Sequence, residues 1–204
     1  RFIEQDSGRE RVAKLAISVL SALRGSICLY QGEELSLPEA ELAFEDLRDP
    51  YGIRFWPAFK GRDGCRTPMP WDAKAANAGF SKGKPWLPVP DVHKALAVDA
   101  QAAAEDSVLA HYRLTLAFRK AHAALRDGSM RFIETNQDIL AFIREKDGER
   151  LLFVFNLRRG PQSVQLPKDV KIAELLPMPG FVSRLESGDV ELDALDAFCG
   201  KLSL

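Results

Sequence analysis

The chain has 204 residues, 46% of them hydrophobic, enough to bury a substantial core in one or two domains. Its 28 basic and 29 acidic residues leave a formal charge of -1, which argues against a nucleic-acid partner. No apolar run is long enough to span a bilayer, so no membrane segment is expected. Cys28, Cys65 and Cys199 are odd in number and far apart, which suits neither a disulfide framework nor a metal site. They favour a reducing compartment, hence a cytoplasmic location, and isolated thiols. No cofactor and no metal is expected.

In chain order, Ser7-Gly8-Arg9-Glu10 has the spacing of a capping box. Val12, Leu15, Val19 and Leu23 then mark one apolar helix face, and Gly25 supplies the stop. Ser26 to Tyr30 is a continuous apolar run that suits a buried parallel strand. The next strong helix runs from Asp106 to about Arg126, capped by Asp106 or Ser107 and ended by Asp127-Gly128. Roughly 75 residues separate that strand from that helix, against the usual two to six of a βα loop. So long a loop at the C-terminal face of a strand-helix barrel is expected to carry function.

Inside the loop, Pro38 to Asp46 suits a short acidic helix and Asp49-Pro50-Tyr51-Gly52 a turn. Trp56-Pro57, Lys84-Pro85-Trp86 and Leu87 to Pro90 resist regular structure because proline withholds an amide donor. The loop is expected to be ordered and held by its tryptophans. Ala95 to Ala104 reads as loop or helical turn. After Gly128 the pattern turns to strands at 129–134, 139–144 and 151–156, with Asp147-Gly148 as a hairpin signal. Weaker strands are expected at 163–166, 171–175 and 188–192.

Two constellations carry chemistry. Tyr30-Gln31-Gly32-Glu33-Glu34-Leu35 lies at the end of the expected strand. Taken alone it is a polar strand end whose adjacent glutamates repel; at a barrel strand's C-terminus it can reach a site. Gly61-Arg62-Asp63-Gly64-Cys65-Arg66-Thr67-Pro68-Met69-Pro70-Trp71 places two arginines four apart among glycines and prolines. A loop arginine is commonly a surface ion-pair former, yet its rigid donor fork also suits paired hydroxyls. Trp56, Phe59, Trp71, Phe80 and Trp86 are close in sequence and would serve either as sugar platforms or as packing beneath the loop.

The second constellation resembles the GRDG-RTPMQW loop of α-glucosidases in glycoside hydrolase family 13, the α-amylase superfamily. Pro70 stands where the commoner form has glutamine, a departure not read as loss of function. The first constellation resembles that family's YQGEELG signature after barrel strand eight, with Ser36 replacing the final glycine. Ser107 to Leu125 is similar to its last barrel helix, and 140–142 with 152–157 to the first strands of its domain C.

The resemblance implies an α/β plus all-β fold. Residues 1–127 would be the C-terminal end of a (β/α)8 TIM barrel: helix 7, strand 8, a long βα loop 8 and helix 8. Residues 128–204 would be domain C, a small antiparallel β-domain. It also implies that Arg62 holds the glucose unit, with Arg66 as a second substrate-binding residue. Gln31, Glu33, Glu34 and Asp63 would shape the pocket, and neither glutamate would be the catalytic acid. His111 and His122 are read as surface or packing residues, and His93 as lacking a metal partner at useful spacing.

A retaining glycosidase needs two carboxylates about 5–5.5 Å apart. The family places them after strands four and five, with an N-H-D motif after strand seven, and no such motif occurs here. Arg1 to Glu4 begins where the segment after that motif should lie. The chain therefore reads as the C-terminal portion of a longer enzyme for α-glucosides or oligosaccharides, inactive by itself, with no catalytic residue of its own. Exposed apolar barrel edges imply association with another copy or partner, or rearrangement of the first 30 residues. The rival readings are a noncatalytic carbohydrate-binding or interaction module, a transglucosidase or isomerase of the same family, and the ectodomain of an amino-acid transporter subunit.

Overall fold

A computed structural model describes residues 8–135 and 138–203. The chain divides into two compact units, one of residues 1–10 and 29–110, the other of residues 11–28 and 111–204.

The second unit is built on antiparallel sheets. Strands β1 (Ser129–Ile133), β2 (Ile139–Lys146), β3 (Glu149–Asn156), β5 (Ile172–Leu175) and β8 (Ala197–Leu202) form a five-stranded sheet in the order β1-β2-β3-β8-β5. Strands β4 (Gln162–Gln165), β6 (Arg184–Glu186) and β7 (Asp189–Leu192) form a second sheet in the order β4-β7-β6. The β2–β3 hairpin turns at Asp147 (φ 49°) and Gly148 (φ 83°), the two positive values that match the strands' twist. Lys146 pairs with Glu149 across it.

The larger sheet buries both faces. Ala141, Ile143, Leu152, Val154 and Phe198 pack with Val164, Val190 and Leu192 of the second sheet. On the opposite face, Phe142, Leu151, Phe153, Phe155, Ala197 and Cys199 meet Leu15, Ala22, Ala124 and Leu125. Double coverage explains why β3 is an unbroken apolar run rather than an alternation. Burial pushes the Cys199 thiol far up, and no disulfide joins the three cysteines.

Helix α1 spans Arg9–Ala22. Its expected cap, Ser7, lies outside the described residues. The helix's C-terminal carbonyls are satisfied from elsewhere in the unit. Arg119 donates to Ser21 O (2.6 Å), Leu23 O (3.1 Å) and Gly25 O (2.6 Å). Arg144, fully buried in β2 on the helix side, donates to Ala22 O (2.6 Å), Leu125 O (3.2 Å), Gly128 O (3.2 Å) and Ser129 O (3.1 Å). Cations at helix C-termini are favoured by the exposed carbonyls and the helix dipole.

The expected single helix 106–126 is two. Helix α5 (Val108–Ala121) starts at Ser107, whose hydroxyl accepts the Ala110 amide (3.1 Å), the N-cap geometry. An extended His122 separates it from α6 (Ala123–Asp127). The Glu149 carboxylate receives the Ala124 amide (2.9 Å) and contacts His122 Nδ1 (2.6 Å), so the break is stabilised by a partner far along the chain.

Three further expectations are corrected. Residues 26–30 form no strand and are mostly exposed; no described strand lies beside them, and a strand requires a ladder partner. The acidic helix at 38–46 shrinks to one 3-10 turn, Phe44–Asp46. The turn at Asp49 is the start of a helix, α2 (Pro50–Phe55), with Asp49 as N-cap and Pro50 in the first turn. The first unit also holds α3 (Asp91–Lys94) and α4 (Val98–Ala102). No helix of the described residues is long and apolar enough to cross a membrane.

Candidate functional site

The arginine loop is secured by two aspartates that grip each other's segments. Asp63, fully buried, accepts the amides of Arg48 (2.5 Å) and Asp49 (2.6 Å) on Oδ2. Asp49, also buried, accepts the Tyr51 amide (3.0 Å) on Oδ1 and the Arg62 amide (3.0 Å) on Oδ2. Each carboxylate thus holds the backbone that carries the other, or its immediate neighbour. Close backbone packing makes this possible: a Cβ at Gly52 would lie 2.6 Å from Lys60 O, and Gly61 takes φ 74° against Gly52.

Both arginines converge on Asp49. Arg62 Nε lies 3.4 Å and Arg66 Nη1 3.9 Å from Asp49 Oδ2, with side-chain exposures of 64% and 34%. Burial raises the Asp49 carboxyl's proton affinity. The Tyr51 and Arg62 amides and the Arg62 guanidinium outweigh that and hold it below the usual carboxylate range. Arg62 is therefore anchored through Nε, while neither of its terminal nitrogens has a partner among the described residues. A planar fork held at its stem and open at its tip can donate two parallel hydrogen bonds to vicinal hydroxyls or to an oxyanion.

The strand-end constellation is folded tightly. Gly32 (φ 89°) leads into a 3-10 turn, Glu33–Leu35, and Ser36 (φ 54°) closes it. Ser36, standing in for glycine, is in the left-handed region that glycine occupies without strain. Glu34 Oε2 accepts the Gly32 amide (2.8 Å), so that glutamate stabilises the turn. Gln31 is exposed and Glu33 half-buried. Among the described residues no hydrogen bond or ion pair joins Gln31, Glu33 or Glu34 to the arginine loop. Arg62, Arg66 and Asp63 are brought together with Asp49; the three strand-end residues are not joined to them.

Two buried polar residues hold the rest of the loop. His93 Nε2 meets Pro38 O (2.8 Å), which leaves Nδ1 to accept the Thr67 hydroxyl (3.2 Å). Gln101 donates to Leu35 O (2.9 Å) and Leu96 O (3.2 Å) and accepts the Leu109 amide (3.1 Å). The tryptophans do not hold it: Trp56, Trp71 and Trp86 are 36%, 53% and 51% exposed, and Phe59 and Phe80 are exposed too. Buried loop amides and carbonyls need polar partners, and an indole ring offers no acceptor. Asp49 and Gln101 were not singled out as site residues in the sequence. The Asp-Pro pair before α2 was a legible N-cap signal, whereas Gln101 carried none. Among the described residues no group of three His, Cys, Asp or Glu is placed to hold a metal ion.

Residues 1–128 match a family model described as alpha amylase, catalytic domain, and residues 130–183 one described as maltogenic amylase, C-terminal domain. The chain is 49% identical over 203 residues to a probable alpha-glucosidase of Rhizobium meliloti, covering 100% of this chain and 36% of that protein. It is 30% identical to an oligo-1,6-glucosidase of Halalkalibacterium halodurans, covering 85% and 34% respectively. The solved structure of an alpha-glucosyl transfer enzyme, XgtA, matches 95% of this chain and 36% of its own length, with TM-score 0.88 and 47% identity. That of the trehalulose synthase MutB from Pseudomonas mesoacidophila matches 98% and 40%, with TM-score 0.83 and 29% identity. The chain spans about a third of the length of the curated relatives it matches.

Proposed function

The chain belongs to the α-amylase family of glycoside hydrolases, and from that premise we propose that it forms the C-terminal portion of a retaining α-glucosidase, supplying one wall of the glucose pocket. The observation that carries this reading is the anchored Arg62 fork, held at Nε by buried Asp49 and open at its tip. Such a fork binds a pair of sugar hydroxyls and orients the ring.

In a retaining mechanism one carboxylate attacks the anomeric carbon as a second protonates the departing oxygen, and water then displaces the enzyme carboxylate. Asp49 and Asp63 are unsuited to either part, because each has oxygens engaged by backbone amides. The reacting carboxylates belong to sequence preceding this segment. Hydrolysis and transglucosylation share the glucosyl-enzyme intermediate.

Two measurements test the proposal. The purified 204-residue chain should release no glucose from p-nitrophenyl α-glucoside; turnover would place the catalytic carboxylates here and defeat the reading. The coding sequence upstream of Arg1 should contain an N-H-D motif. The exposed aromatics favour a second reading, a noncatalytic carbohydrate-binding module. A natural reading frame opening at Arg1 would select it.

A further inference from the structure

Within the first unit, a half-open cleft of about 250 Å³ lies between the end of the 3-10 turn with the residues after it, 46–48, and the segment 84–89. Leu47 and Leu87 point into a small apolar core with Ala40 and Leu42. Their neighbours Asp46, Arg48 and Trp86 therefore line the cleft, joined by Asn77, Lys84 and Lys94. Arg48 meets the Arg62–Asp49 cluster only through its backbone amide, which Asp63 accepts, and among the described residues none of these side chains takes part in that cluster.

We propose that this cleft binds a phosphorylated monosaccharide. The proposal goes beyond the glucosidase reading and does not depend on it. Three cations and one carboxylate line the cleft. Lys94 is paired with Asp91 at 2.8 Å, whereas the side chains of Arg48 and Lys84 have no carboxylate partner among the described residues. A guanidinium and an ammonium facing one concavity suit a phosphate monoester, which carries nearly two charges and three acceptor oxygens. The half-exposed Trp86 indole offers a flat apolar face to one side of a sugar ring.

Acceptors for hydroxyls are present as well. Both amide hydrogens of Asn77 are committed, to Ser81 O and Gly83 O at 2.9 Å each, which orients its carbonyl oxygen as the remaining acceptor. The Asp46 carboxylate adds a second. The volume lies just under the range of drug-sized sites, so it holds one ring rather than an oligosaccharide.

The test is calorimetric titration of the full chain with glucose 6-phosphate, glucose and inorganic phosphate, followed in parallel through the Trp86 indole N–H resonance. Saturable binding of glucose 6-phosphate with a shift at Trp86 is expected, with glucose and inorganic phosphate each weaker by about tenfold or more. Arg48→Ala and Lys84→Ala should each weaken it by about tenfold, because a charge-assisted hydrogen bond is lost while the exposed side chains leave the fold intact. Lys82→Ala, an exposed neighbour outside the cleft, should change nothing. Absence of saturable binding would overturn the proposal, as would equal loss with Lys82→Ala, which would mean diffuse surface attraction. Equal affinity for inorganic phosphate would reduce the site to a simple anion hole, and equal affinity for glucose would remove the phosphate from it; either result refutes the assignment.

Discussion

Replacing Asp63 by alanine removes the acceptor for two backbone amides, those of Arg48 and Asp49, and so loosens the segment that carries Asp49 to the arginines. Hydrogen bonds to a charged acceptor contribute about 1.5–3 kcal/mol each, so the gross loss is about 3–6 kcal/mol. Asp63 is fully buried and its Oδ1 has no partner among the described residues, so part of that gain is offset by desolvation of the carboxylate. The net local loss is about 3 kcal/mol, a factor of roughly 100 in the opening equilibrium. Amide hydrogen exchange followed by NMR reads it directly: the Arg48 and Asp49 amides should exchange about 100-fold faster in Asp63→Ala. Asp63→Asn keeps an oxygen but not the charge and should accelerate them about tenfold. The β3 amides serve as the reference for global unfolding. Unchanged exchange at Arg48 and Asp49 would refute the view that Asp63 organises this loop.

In an enzyme that carries this segment, Arg62→Ala should lower kcat/KM for p-nitrophenyl α-glucoside by about 100-fold and Arg66→Ala by about tenfold, since Arg62 is the one hydrogen-bonded at its stem and, at 64% against 34%, the more exposed at its tip. Arg144→Met should destabilise the second unit by about 4 kcal/mol by stranding four carbonyls, moving the urea midpoint down by about 2 M. His111 is buried against Ser18 and Lys14 O, and burial first, with the Lys14 charge next, pushes its pKa down to about 4. Between the unfolded value of 6.5 and about 4 only the unfolded chain takes up this proton. Stability from this group is therefore intact above pH 6.5 and falls as pH drops towards 4, by up to about 3 kcal/mol. Urea titrations at pH 7 and pH 5 should show about 2 kcal/mol of that loss, and His111→Gln should flatten it.

Much of the second unit was legible locally. Asp147-Gly148 announced the β2–β3 hairpin because both positions need positive φ, and Ser107 announced α5 because its hydroxyl reaches an amide three residues on. What local pattern missed has distant partners. The break at His122 depends on Glu149, and β8 is a short segment interrupted by Gly200 and Lys201 whose identity comes from lying between β3 and β5. The run at 26–30 misled for the converse reason: its apolar pattern fits a strand, but no described strand is beside it. The candidate site shows the same division: Arg62, Arg66 and Asp63 are visible as a motif, whereas Asp49, thirteen residues before Arg62, shows locally as a turn or helix cap and not as their partner.

The linear order of residues was enough to show the motifs' resemblance to the family, the order of helices before antiparallel strands, and the arginine loop as the chemically rich segment. These rest on residue identity, period and short-range spacing, which a linear chain carries openly. Folding was needed to reveal that the loop is held by reciprocal aspartates, His93 and Gln101 rather than by tryptophans, and that Arg62 is gripped at its stem and open at its tip. Those facts depend on which buried amides meet which acceptors. That matching is made by residues brought together in folding, and it leaves no periodic trace along the chain.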